Sequence, residues 1–75
     1  MLLVDLISSV LDIDPRELTE ESGRGTLEVW DSLAHLNIIA AVEETYDVVF
    51  SSSEMRELTS VVKLREALAE RNIAA

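Results

Sequence analysis

Helix-breaking residues are confined to one stretch of this chain. The single proline, Pro15, and both glycines, Gly23 and Gly25, fall between Asp14 and Trp30. The residues on either side are therefore free to form helix and offer few of the tight turns that many short strands need. Before the stretch, Leu3, Leu6, Ile7, Val10 and Leu11 recur at helical spacing. They predict a first helix over roughly residues 2 to 12, ended because Pro15 disfavours helix at Asp14. After it, Asp31 is the expected N-cap of a second helix from about Ser32 to Tyr46. Ser51 and Glu54 have the spacing of a capping box, which predicts a short third helix through about Leu58. Thr59 or Ser60 is placed to cap a fourth, in which Val61, Leu64 and Leu68 make one apolar stripe. Asp14 to Trp30 itself reads as a long connection with one turn near Arg16 to Leu18, and so long a loop in a small domain usually has a job.

The expected fold is a single all-α domain over residues 1 to 75. It is a four-helix bundle with a long loop between helices one and two and a short third helix. At this length one core supplies roughly 3–5 kcal/mol of net stability, which disfavours an elaborate enzyme site. Hydrophobic residues make up 48% of the chain but aromatics only 4%, so the core is expected to be built from Leu, Ile, Val and Ala. There are no cysteines, which excludes disulfides and thiolate metal sites and means that any thiol chemistry must come from an added group. The apolar start Met1-Leu2-Leu3-Val4 is interrupted by Asp5 and has no basic region before it, so no signal peptide is expected. No apolar stretch approaches membrane-spanning length. A soluble, monomeric, cytoplasmic protein is the expectation.

Charge narrows the partners. Six basic residues stand against fifteen acidic ones, a formal charge of −9. That balance repels nucleic acid phosphates and points to basic protein surfaces. Residues 1 to 31 hold eight acids and two bases, residues 32 to 50 three acids and no base, and residues 51 to 75 four of each. A basic partner should meet the first two thirds of the chain.

The second helix carries two apolar rows. At about 100° per residue, Ile38, Ile39, Val42 and Tyr46 share one face, the expected core stripe. Leu33, Leu36 and Ala40 form another row roughly a third of a turn round, continued by Glu43 and Asp47. One helix in a small bundle rarely buries two faces, so this second row is either packed under the long loop or offered to partners. Ser32 begins the helix, where free backbone N–H groups and the helix dipole favour an attached phosphate. By position alone it is also an ordinary helix-starting serine.

Trp30-Asp31-Ser32-Leu33, continued by Ala34 through Tyr46, resembles the acyl carrier protein family around its Asp-Ser-Leu attachment motif. Glu43-Glu44-Thr45-Tyr46 is similar to that family's Glu-Glu-x-aromatic end of helix two. Val49-Phe50 and the segment from Glu54 to Val61 are similar to its third helix and the Thr-Val start of its fourth. The resemblance covers about residues 26 to 70 closely and helix one by pattern.

It implies that Ser32, flanked by Asp31 and Leu33, carries 4′-phosphopantetheine as a phosphodiester whose terminal thiol holds acyl groups as thioesters, as in fatty acid or polyketide biosynthesis. It further implies a protein that is not itself an enzyme, and a recognition face of Leu36, Ala40, Glu43, Glu44 and Asp47. An apolar interior in which a tethered chain can shelter goes with it. The implied partners are a phosphopantetheinyl transferase, an acyl- or aminoacyl-loading ligase and acyl-transferring enzymes.

An aminoacyl or peptidyl carrier shares the fold and the arm and differs in its adenylating loading enzyme; an unmodified helical interaction module would carry no arm. The chain departs from the family in having Val29-Trp30 where a glycine often precedes Asp-Ser-Leu. Ala34, Asn37 and Arg56 stand where acids are common. These changes dilute the acidic face and favour a specialised carrier over the housekeeping fatty-acid one.

Two other chemistries are weaker. Asp31, Ser32 and His35 suggest a nucleophile, base and orienting acid, but His35 should project toward the core and the chain is too small for an enclosed oxyanion site. Asp12, Asp14, Glu17, Glu20 and Glu21 lack the glycine and terminal glutamate of a calcium loop. Weak divalent binding by a solvated acidic loop is the most they suggest, and no metal centre is expected.

Overall fold

The computed structural model describes residues 2 to 75, so Met1 of the apolar start lies outside the described residues. The chain is all-helical, with helices α1 (Leu3–Leu11), α2 (Ser32–Tyr46), α3 (Ser52–Glu57) and α4 (Val61–Glu70) and no strand among the described residues. No helix among them is long and apolar enough to cross a membrane.

The starts of α2, α3 and α4 each follow from a capping side chain, whereas α1 begins after Leu2 without one. Asp31 caps α2 by accepting the Ala34 N–H at 2.9 Å. Ser51 and Glu54 exchange both hydrogen bonds of a capping box at α3, at 3.1 and 3.0 Å. Of the two caps expected for α4, Ser60 is the one used, accepting from Lys63 N–H at 3.3 Å. The turn expected near Arg16 to Leu18 is a 3₁₀ turn at Pro15–Glu17, capped by Asp14. There the Arg16 guanidinium holds the Asp14 carboxyl below its usual range.

The ends follow a different rule from the one expected. α1 stops at Leu11, ahead of the proline, because Asp12 turns left-handed at φ 57°. Asp47 (φ 54°) does the same after α2 and Asn72 (φ 62°) after α4. The next residue in each case reaches back into the helix: Ile13 N–H to Ser8 O at 3.0 Å, Val48 N–H to Glu43 O at 3.1 Å, and Ile73 N–H to Leu68 O at 3.0 Å. This is the left-handed closure usually made by glycine, performed here by Asp and Asn, the side chains that best tolerate it.

The core joins Leu3, Leu6, Ile7 and Leu11 of α1, Ile38, Ile39 and Val42 of α2, and Val61, Leu64, Ala67 and Leu68 of α4. α1 packs against both α2 and α4. The core is not purely aliphatic, as composition suggested. Trp30 is 1% exposed and heads the fully buried side chains, and Phe50 is buried with it. Two of the three aromatic residues thus fill the interior from segments flanking α2. Arg71 ties the far end together: its guanidinium meets Glu54 at 2.8 Å and Ala67 O at 3.0 Å, and lies 5.0 Å from the centre of the Phe50 ring.

The segment from Asp12 to Asp31 is pinned rather than free. Val62 N–H donates to Glu20 O, Val61 N–H to Ser22 O and Arg24 N–H to Thr59 O, all between 2.9 and 3.0 Å. Gly23 pairs with Ser60 in an isolated bridge. A Cβ at Gly23 would lie 2.0 Å from Thr59 O, so only glycine permits this approach. Glu20 adds an ion pair to Arg65 at 2.9 Å.

Candidate functional site

Ser32 is the first residue of α2 and is exposed. Asp31 immediately before it holds the helix entry with both its groups: the carboxylate takes Ala34 N–H, and the carbonyl takes His35 N–H at 2.8 Å. The N–H groups of Ser32 and Leu33 open the helix without intrahelical acceptors, which puts the positive end of the helix at the hydroxyl.

One residue that the sequence patterns did not single out reaches this hydroxyl. Arg24 Nη2 donates to Ser32 Oγ at 2.9 Å. Arg24 sits between the two glycines of the long connection, and its backbone is held by Thr59. The sequence holds one relevant clue: from residue 17 to residue 55 Arg24 is the sole Lys or Arg.

The second apolar row of α2 faces solvent. Leu33 is 68% and Leu36 59% exposed, Ala40 is exposed, and Val29 adds a half-covered side chain just before the helix. The loop therefore does not cover this row. Glu44 and Asp47 are exposed farther along. Glu43, on the same row, makes a contact within the chain. It is partly buried, and Oε2 accepts the Phe50 N–H at 2.8 Å, so its carboxylate holds the segment after α2.

His35 supplies no base to Ser32. It is buried, Nδ1 accepts from Trp30 Nε1 at 3.1 Å, and Nε2 meets Met55 O at 2.6 Å, so both ring nitrogens are engaged elsewhere. Asp31, Ser32 and His35 make no triad. The acids of the long connection are dispersed among partners: Asp14 on Arg16, Glu17 on Asp14 N–H, Glu20 on Arg65. Among the described residues no three His, Cys, Asp or Glu side chains come together as metal ligands. A shallow cavity between α3 and α4 is lined by glutamates of both helices together with Leu58, Lys63 and Ala67, and includes no residue of α2.

What assembles around Ser32 is an exposed hydroxyl, a cation, a helix start and a small apolar patch. Comparison with protein-family models gave no match, and comparison with curated protein sequences gave none either.

Proposed function

We propose that this protein is an acyl carrier, modified on Ser32 with 4′-phosphopantetheine and built as a four-helix bundle with the Asp12 to Asp31 segment as its long loop. The observation that carries the reading is the setting of Ser32. Its hydroxyl is exposed at the first residue of α2, with the Arg24 guanidinium on its oxygen and exposed Leu33 beside it.

The residues present fit such a group. A phosphodiester carries one negative charge, and the exposed hydroxyl lies at the electropositive end of a helix, where anions are stabilised. The neighbouring Asp31 carboxylate is turned to Ala34 N–H, which offsets its repulsion. The arm, when bound, supplies a thiol that this cysteine-free chain lacks and on which acyl groups are held as thioesters.

The chain's own residues do the rest. Ser32 is the attachment point, Asp31 fixes the helix entry that presents it, and Leu33, Leu36 and Ala40 offer a modest apolar contact. Glu44 and Asp47 add steering charge. A carrier must bind and release several enzymes, for which a small contact guided by charge suits better than a large dry interface. No catalytic role is assigned to the chain, and its expected setting is cytoplasmic. An acyl cargo is favoured over an aminoacyl one by the family resemblance alone, and the loading enzyme separates the two.

Incubation with coenzyme A and a phosphopantetheinyl transferase tests the reading. Ser32 Oγ forms the new P–O bond, adenosine 3′,5′-bisphosphate leaves, and the hydroxyl proton passes to the transferase. The intact mass should rise by one phosphopantetheine; an unmodified product with an active transferase would leave a helical interaction module instead.

A further inference from the structure

We propose that Arg24 is the residue that holds the phosphate of the group attached to Ser32, restraining the base of the arm against the protein. The proposal rests on the carrier reading, since it needs a phosphate at that oxygen.

Three observations lead to it. First, Arg24 already touches the atom to which the phosphate would be joined, at 2.9 Å from Ser32 Oγ. A guanidinium presents several N–H donors in a planar fork suited to phosphate oxygens, and a bond to an anion is stronger than one to a neutral hydroxyl. Replacing the hydroxyl proton by a phosphoryl group places phosphorus one bond and the anionic oxygens two bonds beyond Oγ, within reach of the same side chain.

Second, the charge around the site calls for a cation. Asp31 is the adjacent residue, the chain carries −9, and no other Lys or Arg lies between residues 17 and 55.

Third, Arg24 is mounted rather than adrift. Its N–H is bonded to Thr59 O at 2.9 Å, and Gly23 before it packs so closely on the Thr59–Ser60 backbone that no side chain fits. Gly25 after it turns at φ 92°, a conformation that favours glycine. The two glycines and the bridge to Ser60 thus set a single arginine over the start of α2.

Side-chain ¹⁵N NMR of the full chain, before and after enzymatic loading with coenzyme A, tests this directly. The Arg24 Nε–H signal is identified as the one missing from Arg24→Gln. In wild type, loading should shift that signal and slow its exchange with water. In the loaded proteins, the ³¹P resonance of Arg24→Gln should move from its wild-type position and relax more slowly, reporting a freer phosphate. Arg24→Lys, which keeps the charge without the fork, should fall between the two. Circular dichroism confirms that the variants are folded.

An Arg24 signal indifferent to loading in wild type would overturn the proposal and leave the carrier reading intact. Failure of wild type to gain the arm, with a transferase active on another carrier, would overturn both. The wild-type comparison stands even where Arg24→Gln is loaded too poorly for phosphorus spectra.

Discussion

Trp30 and His35 are joined by a buried hydrogen bond, with their rings 6.2 Å apart and 26° from parallel. The indole N–H can only donate and the Met55 carbonyl can only accept, so the imidazole between them is the neutral tautomer with its proton on Nε2. The residue just before the Asp31-Ser32 pair, the first turn of α2 and the middle of α3 are thereby tied through one ring.

Removing that ring should be costly. His35→Leu leaves the Trp30 N–H and the Met55 carbonyl without their partner. The expected loss is about 1–3 kcal/mol of unfolding free energy, measured by urea denaturation. Adding Trp30→Phe to His35→Leu should cost less than the sum of the two single changes, because the second substitution removes a donor already orphaned. Strict additivity would mean that the hydrogen bond contributes nothing.

Asp12 closes α1 in a left-handed conformation and puts a negative charge at a helix C-terminus, where the dipole disfavours it. Asp12→Gly relieves both, against a somewhat larger entropy of the unfolded chain. A net gain of about 0.5–1 kcal/mol is expected, visible as a higher thermal midpoint. A lower midpoint would mean that the Asp12 side chain supports the closure.

Glu54 links the start of α3 to the end of α4. Its carboxyl is held below the usual range first by the Ser51 N–H and then by Arg71. In the folded state it therefore releases its proton at lower pH than in the unfolded chain. Its stabilising contribution is complete above the ordinary carboxylate range and is lost as pH falls through the lowered folded value. Glu54→Gln keeps the helix start but lacks the charge. Its stability should be lower at neutral pH and fall less steeply on acidification, the two curves drawing together in acid. Parallel curves in an acid titration followed by circular dichroism would assign the acid loss to other carboxylates.

Recognition should depend on Leu33 and Glu44. Leu33→Ala removes exposed apolar area beside the attachment point, and transfer of the arm should slow by about five- to tenfold. Glu44→Lys should lower the association rate with a basic partner enzyme and flatten its dependence on salt. Stopped-flow association checks both; unchanged rates would move recognition off this face of α2. Glu43 is a poor choice for the same test, because its substitution also releases the Phe50 amide.

Local chemistry made much of this architecture legible from sequence. The bounds of α2 at Ser32 and Tyr46 follow from the Asp31 cap and an unbroken run of helix-compatible residues, and α3 from the reciprocal pair Ser51 and Glu54. Ile38, Ile39 and Val42 fall inward as their spacing requires. What escaped depends on partners distant in sequence or on backbone conformation. The end of α1 is decided by a left-handed Asp12 rather than by Pro15, and no apolar period marks such a residue. Glu43 lies on the outward row by helical angle, yet the returning chain offers it the Phe50 amide. Trp30 stands at the end of a polar stretch and is buried because His35 and Met55 complete a polar slot for its indole. Arg24 reaches Ser32 only because Gly23 docks on Thr59 and Ser60, a contact between segments that local pattern does not connect.

The central claim concerns a single oxygen atom, and mass spectrometry of paired proteins tests it most directly. Wild type and Ser32→Ala are treated with coenzyme A and a phosphopantetheinyl transferase, then measured intact and after proteolysis. Wild type should gain one arm, mapped to the peptide containing Ser32. Ser32→Ala should retain its helical circular dichroism and gain nothing. An unmodified wild type, a gain that survives Ser32→Ala, or one mapped to Ser51, Ser52 or Ser53 would contradict the account.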